Sequence, residues 1–151
     1  MPACKTRYFN TVEYGEDSLI RFSSGLPGFE KERDFVFIEQ QVHHPLLFLQ
    51  SVATPGLCFI VLPVLTVDPD YKLHMRAEDI EYLGLETARQ PRIGRDVFCG
   101  VILAVHEEEP TANLMAPLVI HLRTRTAVQA IQVDTGSSHC HSLVAREMVA
   151  C

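Results

Sequence analysis

Val97-Phe98-Cys99-Gly100-Val101-Ile102-Leu103-Ala104-Val105 is nine residues without a charge, set between Arg95-Asp96 and Glu107-Glu108-Glu109. It is rich in β-branched and aliphatic side chains, which reads as a strand. Because it is apolar at nearly every position, no alternation leaves one face wet, and both faces of the strand must be covered. Leu57 to Leu62 has the same character. These two runs are the expected centre of the fold.

Working outward, five further runs have strand composition and end at Gly, Pro, Asp or charged residues: Leu19 to Phe22, Phe35 to Ile38, Leu46 to Gln50, Leu118 to Leu122 and Val128 to Val133. Leu118, Ile120 and Leu122 fall on one face of their strand and Val119, His121 and Arg123 on the other, the pattern of a half-exposed strand. One segment reads as a helix. Ala77 to Leu83 carries Glu78 and Asp79 in its first turn, where the helix dipole favours acids, and sets Ile80 and Leu83 on one side before Gly84. It is short, and its expected place is over an open barrel end. Gly25-Leu26-Pro27-Gly28-Phe29-Glu30 is a turn between two strands, with Pro27 presetting φ and Gly28 accepting the positive φ of a type II turn. There is no internal repeat and no boundary. The pattern predicts an all-β, antiparallel, barrel-like single domain over residues 1–151 with one short helix.

A chain of 151 residues buries about 68–70% of the surface its unfolded form exposes, enough for a core without staples. Hydrophobic content of 47% with 21% charged residues excludes a disordered chain. No apolar run approaches the length of a membrane-spanning helix. The first residues, Met1 to Arg7, lack the apolar stretch of a secretory signal, so the expected location is the cytoplasm. Cys4, Cys58, Cys99, Cys140 and Cys151 are odd in number and widely spaced, which is not a disulfide framework. Cys58 and Cys99 lie in apolar runs, as small core hydrophobes do.

The net charge of −6 opposes direct nucleic-acid binding, which rests on clustered Lys and Arg. Arg123 and Arg125, two apart on a strand, read as a solvated face. An acidic protein is suited to a basic partner, whose encounter complementary fields accelerate. There is no phosphate loop, nucleophile elbow or zinc helix, and no enzyme reading names its residues. His139-Cys140-His141 is the one cluster with metal-binding character, since a strand would put both imidazoles on one face, with His43-His44 as a source of further ligands. A metalloprotein or enzyme built on His139, Cys140 and His141 is therefore the alternative reading. Exposed histidines after Gly136-Ser137-Ser138 also fit a solvated turn.

The order and spacing of Ile20-Arg21-Phe22, Gly25 to Glu30, Leu49-Gln50-Ser51, Phe59-Ile60-Val61, Pro63, Tyr71 and Thr111-Ala112-Asn113-Leu114-Met115-Ala116-Pro117-Leu118-Val119-Ile120 resemble the flagellar assembly factor FliW family, over about residues 18 to 143. The resemblance implies a non-enzymatic, barrel-like cytoplasmic protein without cofactor or metal. It implies binding to CsrA, a small RNA-binding translational repressor, and relief of its repression of flagellin messenger RNA. It also implies binding to flagellin, with a chaperone-like role, and neither nucleic acid nor membrane as a direct partner. Glu107, Glu108 and Glu109 precede the Asn-Leu-x-Ala-Pro stretch and are the first choice for a partner surface, with Glu30, Asn113 and Gln129 as further candidates. Asn113 and Pro117 also suit loop shaping, and Gln50 and Gln129, at strand ends, suit satisfaction of backbone groups. The chain departs from the family at Ala127-Val128-Gln129, where a Gly commonly precedes the Gln. It departs again at His121, where an Asn is usual, and at Ser137 to His141, where Cys140 stands at an Arg position.

Overall fold

A computed structural model describes residues 2–105, 110–132 and 141–142. The strands are β1 (Ala3–Lys5), β2 (Thr11–Glu13), β3 (Ile20–Arg21), β4 (Asp34–Glu39), β5 (Leu47–Ser51), β6 (Cys58–Pro63), β7 (Val97–Val105), β8 (Pro110–Ala112), β9 (Leu118–His121), β10 (Ala127–Gln129) and β11 (His141–Ser142). Two short helices, α1 (Val64–Val67) and α2 (Ala77–Tyr82), lie between β6 and β7. The main sheet runs β10-β9-β7-β6-β5-β4-β3, every pairing antiparallel, with β8 and β11 added beside the far half of β7. Its two edges meet where Arg21 of β3 bridges Thr126 and the Arg21 N–H donates to the Arg125 carbonyl, 3.0 Å. The sheet is thus a nearly closed barrel.

Side-chain alternation divides the apolar residues between two cores. Ile20, Phe35, Leu49, Val61, Leu118, Ile120 and Ala127 point inward from successive strands, joined by Phe22 and by Leu26 of the Gly25–Glu30 turn. Phe35 meets Phe22 edge-on at 5.5 Å between ring centres, an arrangement that aromatic quadrupoles favour. On the opposite face, Val97, Cys99, Val101 and Val119 form a second core with Val64, Tyr71, Leu73, Met75, Ile80 and Leu83. Strand β7 separates the two cores, which is why its sequence is apolar without alternation. The Cys99 thiol, buried in the outer core, has its pKa pushed up to about 12 by desolvation, as expected of a packing cysteine. Cys58, on β6, is pushed up to about 11 for the same reason.

Three expectations are corrected. Among the described residues the α-helices number two, because the chain after Pro63, beyond the expected Leu57 to Leu62 strand, turns through Val64–Val67, and Thr66 Oγ1 donates back to the Pro63 carbonyl, 2.6 Å. Helix α2 covers the outer wall formed by β7 and β9, burying Ile80 and Leu83 there and not over a barrel end. It stops where the Gly84 N–H donates to the Glu81 carbonyl and the Leu85 N–H to that of Ile80, the paired bonds of a Schellman ending. Strand β9 is buried on both faces, at Leu118, Val119, Ile120 and His121, whereas Leu122 lies beyond it in an exposed turn. The cover over Val119 comes from residues 64–83, some forty positions earlier.

His121 is the polar exception on β9. Its Nδ1 accepts the Arg123 N–H at 3.1 Å, and burial first, then the neighbouring Arg123 charge, lower its pKa, with Asp96 opposing. The unfolded chain takes up this proton at about pH 6.5, while native His121 resists until a lower pH. Its contribution to stability is therefore complete above pH 6.5 and lost as pH falls below it. His121→Asn keeps an acceptor for Arg123 but does not titrate. The fall in melting temperature between pH 7 and pH 5 is expected to be shallower in that variant than in the parent; an equal slope would count against this account.

Candidate functional site

The Leu26–Phe29 turn forms as its sequence requires. The Phe29 N–H donates to the Leu26 carbonyl at 2.7 Å, and Gly28 sits at φ +84°. Glu30 reaches back so that its Oε1 accepts the Gly28 N–H, 3.1 Å. The remainder of the Glu30 side chain is exposed. Glu30 therefore both satisfies a backbone group and leaves its charge at the surface.

Beyond the Arg21–Thr126 bridge the turn and β10 diverge, and the space between them is a groove of about 530 Å³. Gly25, Pro27 and Glu30 line one side, Ala127, Val128 and Gln129 the other, and Arg76, Glu78, Asp79 and Tyr82 of α2 and its entry close it, with Ile131 beside them. Its apolar surface includes Tyr82 and Ile131, which are 41% and 53% exposed. Its carboxylates are Glu30, Glu78 and Asp79, of which Asp79 is engaged by Arg76 at 3.3 Å. The groove offers apolar contact rimmed by net negative charge. The β9–β10 register supplies one more feature. His121 and Ala130 each donate into the ladder, to Thr126 and Pro117, so the backbone groups of Gln129 face away from β9, toward the groove, while the same side of Ala127 lies against the Arg21 bridge.

Two of the sequence-derived candidates, Glu30 and Gln129, thus meet in one place although 99 positions separate them. Gln129 Nε2 donates to the Ala116 carbonyl, 3.0 Å, which adds a side-chain tie to the backbone bonds that hold the loop after β8 against β10. Asn113 shapes that same loop, its Oδ1 accepting the Met115 N–H at 3.0 Å; it does not line the groove. Glu107, Glu108 and Glu109 lie outside the described residues, as do His139 and Cys140, and His141 is described only through its backbone pairing with Ala112. His43, offered as a further metal ligand, stacks edge-on against Phe48 with ring centres 5.9 Å apart. Among the described residues no three His, Cys, Asp or Glu side chains are grouped to hold a metal ion, and no helix is long and apolar enough to cross a membrane.

Sequence reasoning missed Tyr82, Ile131, Glu78 and Asp79 as site residues. The acids of α2 were explained by the helix dipole alone, and nothing local marks Tyr82 as the helix residue turned away from Ile80 and Leu83. Exposed aromatic and aliphatic side chains close to one another become significant once the fold adjoins them.

Comparison with known proteins places this geometry. A protein-family model described as FliW protein matches residues 3–143. The flagellar assembly factor FliW of Geobacillus kaustophilus is 35% identical over 140 residues, 91% of this chain and 92% of that protein. The flagellar assembly factor FliW of Bacillus licheniformis is 37% identical over 133 residues, 87% and 89% of the two chains. A crystal structure of a flagellar assembly factor FliW superposes with a TM-score of 0.82 at 32% identity, covering 95% of this chain and 97% of that one. With sequence matches over nearly the whole length and the same barrel, the chain belongs to the FliW family.

Proposed function

We propose that this protein acts in flagellar assembly as a non-enzymatic, cytoplasmic protein-binding regulator that engages a CsrA-like translational repressor and flagellin. The observation that carries this reading is the groove between the Gly25–Glu30 turn, α2 and β10, where Tyr82 and Ile131 are exposed beside Glu30, Glu78 and Asp79. A basic RNA-binding repressor matches that charge, and apolar anchors inside a charged rim are the usual anatomy of a protein interface. The chain's net charge of −6 adds long-range attraction for the same partner. Family membership supports the assembly role; the partners are those its resemblance to FliW implies.

The test is co-purification with the CsrA of the same cell, followed by a gel shift of flagellin messenger RNA. The expected result is a complex that frees the RNA. Glu30→Lys combined with Glu78→Lys reverses two exposed charges in the groove and is expected to weaken the complex about tenfold or more, chiefly at low salt. No complex with either CsrA or flagellin at micromolar concentration would remove the proposal.

A further inference from the structure

A second recess lies where the loop before β7 meets the β9–β10 turn. Five of the chain's 13 Lys and Arg residues, Arg89, Arg92, Arg95, Arg123 and Arg125, belong to these two segments, and the segments are tied by the Leu122 N–H donating to the Asp96 carbonyl, 3.2 Å. Between them is a cavity of about 330 Å³ lined by Arg89, Arg95, Arg123, His121, Asp96 and the apolar surface of Leu85, Pro91 and Leu122. Arg89 is occupied, paired with Asp96 at 3.0 Å and Glu86 at 3.6 Å. Arg95 and Arg123 form no ion pair among the described residues.

His121 forms part of the wall, only 7% exposed. Since its Nδ1 accepts the Arg123 N–H, the ring proton of the neutral imidazole is on Nε2. That Nε2–H has no hydrogen-bond partner among the described residues. It is not an enclosed atom, since Gln50 Oε1 is the one enclosed side-chain N or O atom without a partner among the described residues, so the Nε2–H opens onto the recess and is available to a ligand acceptor. The recess therefore presents two uncommitted guanidiniums and a neutral N–H donor, above apolar walls, on a protein that is otherwise acidic.

We infer that this recess is a second protein-docking site, which takes a carboxylate side chain from an acidic segment of a partner protein. The inference rests on the reading of this chain as a protein-binding factor and assigns it a second surface of opposite charge. A planar guanidinium pairs a carboxylate through two parallel hydrogen bonds, and Leu85, Pro91 and Leu122 suit the aliphatic flanks of a peptide. RNA fits less well: no Phe, Tyr or Trp lines the recess for base stacking, and the carboxylates of Glu86 and Asp96 in its wall oppose a run of phosphates more than a single carboxylate.

The experiment titrates the 15N-labelled full chain with a blocked peptide, Glu-Leu-Asp-Glu-Leu-Asp, while following the Arg Nε–H and His ring resonances. In parallel arms it is titrated with inorganic phosphate and with an RNA decamer. The expected result is saturable shifts at Arg95, Arg123 and His121 with the peptide, weakened several-fold between 50 and 300 mM salt and about tenfold or more in the Arg95→Gln, Arg123→Gln double variant. Equal peptide affinity in the double variant overturns the inference. So does a response of these resonances to phosphate or RNA and not to peptide. Co-purification of the double variant with CsrA reads the acidic groove independently. A retained complex with no peptide binding by the parent chain sinks this recess and leaves the proposed function standing.

Discussion

Gly25→Ala is expected to cost about 3 kcal/mol or more of folding stability, a fall in melting temperature of about 6–12 °C for a chain of this size. Two effects combine. Gly25 sits at φ +68°, a left-handed conformation that costs a residue bearing Cβ roughly 1–2 kcal/mol. A Cβ there would also lie 2.5 Å from the Cα and 2.6 Å from the carbonyl carbon of Glu30, and backbone cannot step aside as a flexible side chain can. The displaced segment would carry Leu26, which is 2% exposed in the barrel core, and the Glu30 wall of the groove. Gly28→Ala is the control, because Gly28 has φ +84° yet a Cβ there meets nothing within 4 Å. It is expected to cost only about 1 kcal/mol. Urea and thermal denaturation of the two variants decide the matter, and equal losses would show that the close approach to Glu30 does not constrain the turn.

That turn also shows which features were legible in the sequence. Pro27 and Gly28 announce their backbone angles through their own covalent structure, and each of the seven runs expected to be strands contains one, because each run is long enough to show its composition. Strand β10 ends earlier than its apolar run, at Gln129, although the Ala130 and Gln132 N–H groups go on donating in the same register, to the carbonyls of Pro117 and Met115. Strands β1, β2, β8 and β11 have two or three residues each, too few for a period. The N-terminal pair is held by contacts distant in sequence, with Phe9 against Phe48 at 5.0 Å and the Arg7 N–H on the Pro55 carbonyl. Burial of Val119 and His121 was illegible because alternation reports one face only when the other meets water, and residues 64–83 remove the water. The candidate site was half legible. Glu30 was identifiable as the acid at the exit of its turn and Gln129 as a strand-end polar residue, but their meeting depends on the barrel closing at Arg21 and Thr126, and the recess around His121 depends on the same closure.

Gln50→Glu is the second large effect expected, and it tests a buried polar knot that the sequence marks only as Leu49-Gln50-Ser51. Gln50 is fully buried. Its Nε2 donates to the carbonyls of Ser51, Thr54 and Pro55 at 3.0, 3.3 and 3.2 Å, and three acceptors around one nitrogen fix the orientation of the amide. The same loop is held from the other side by Glu32, which accepts from the Ser51 and Thr54 hydroxyls. Gln50 Oε1 has no hydrogen-bond partner among the described residues. A carboxylate placed here would face three carbonyl oxygens with no donor. Burying such an uncompensated charge costs about 3–5 kcal/mol, or the group keeps its proton in the native state. Its native pKa is then raised above the unfolded value of about 4.3, so the variant is least impaired below that pH and loses stability as pH rises through the raised native pKa. Gln50→Leu removes the donor and the unpartnered Oε1 together, and its expected cost is smaller, about 1–3 kcal/mol, with no added pH dependence. Denaturation of both variants at pH 4.5 and pH 7.5 separates the contributions. If Gln50→Glu were as stable as Gln50→Leu at pH 7.5, the three carbonyls would not be what the Gln50 amide is there to satisfy.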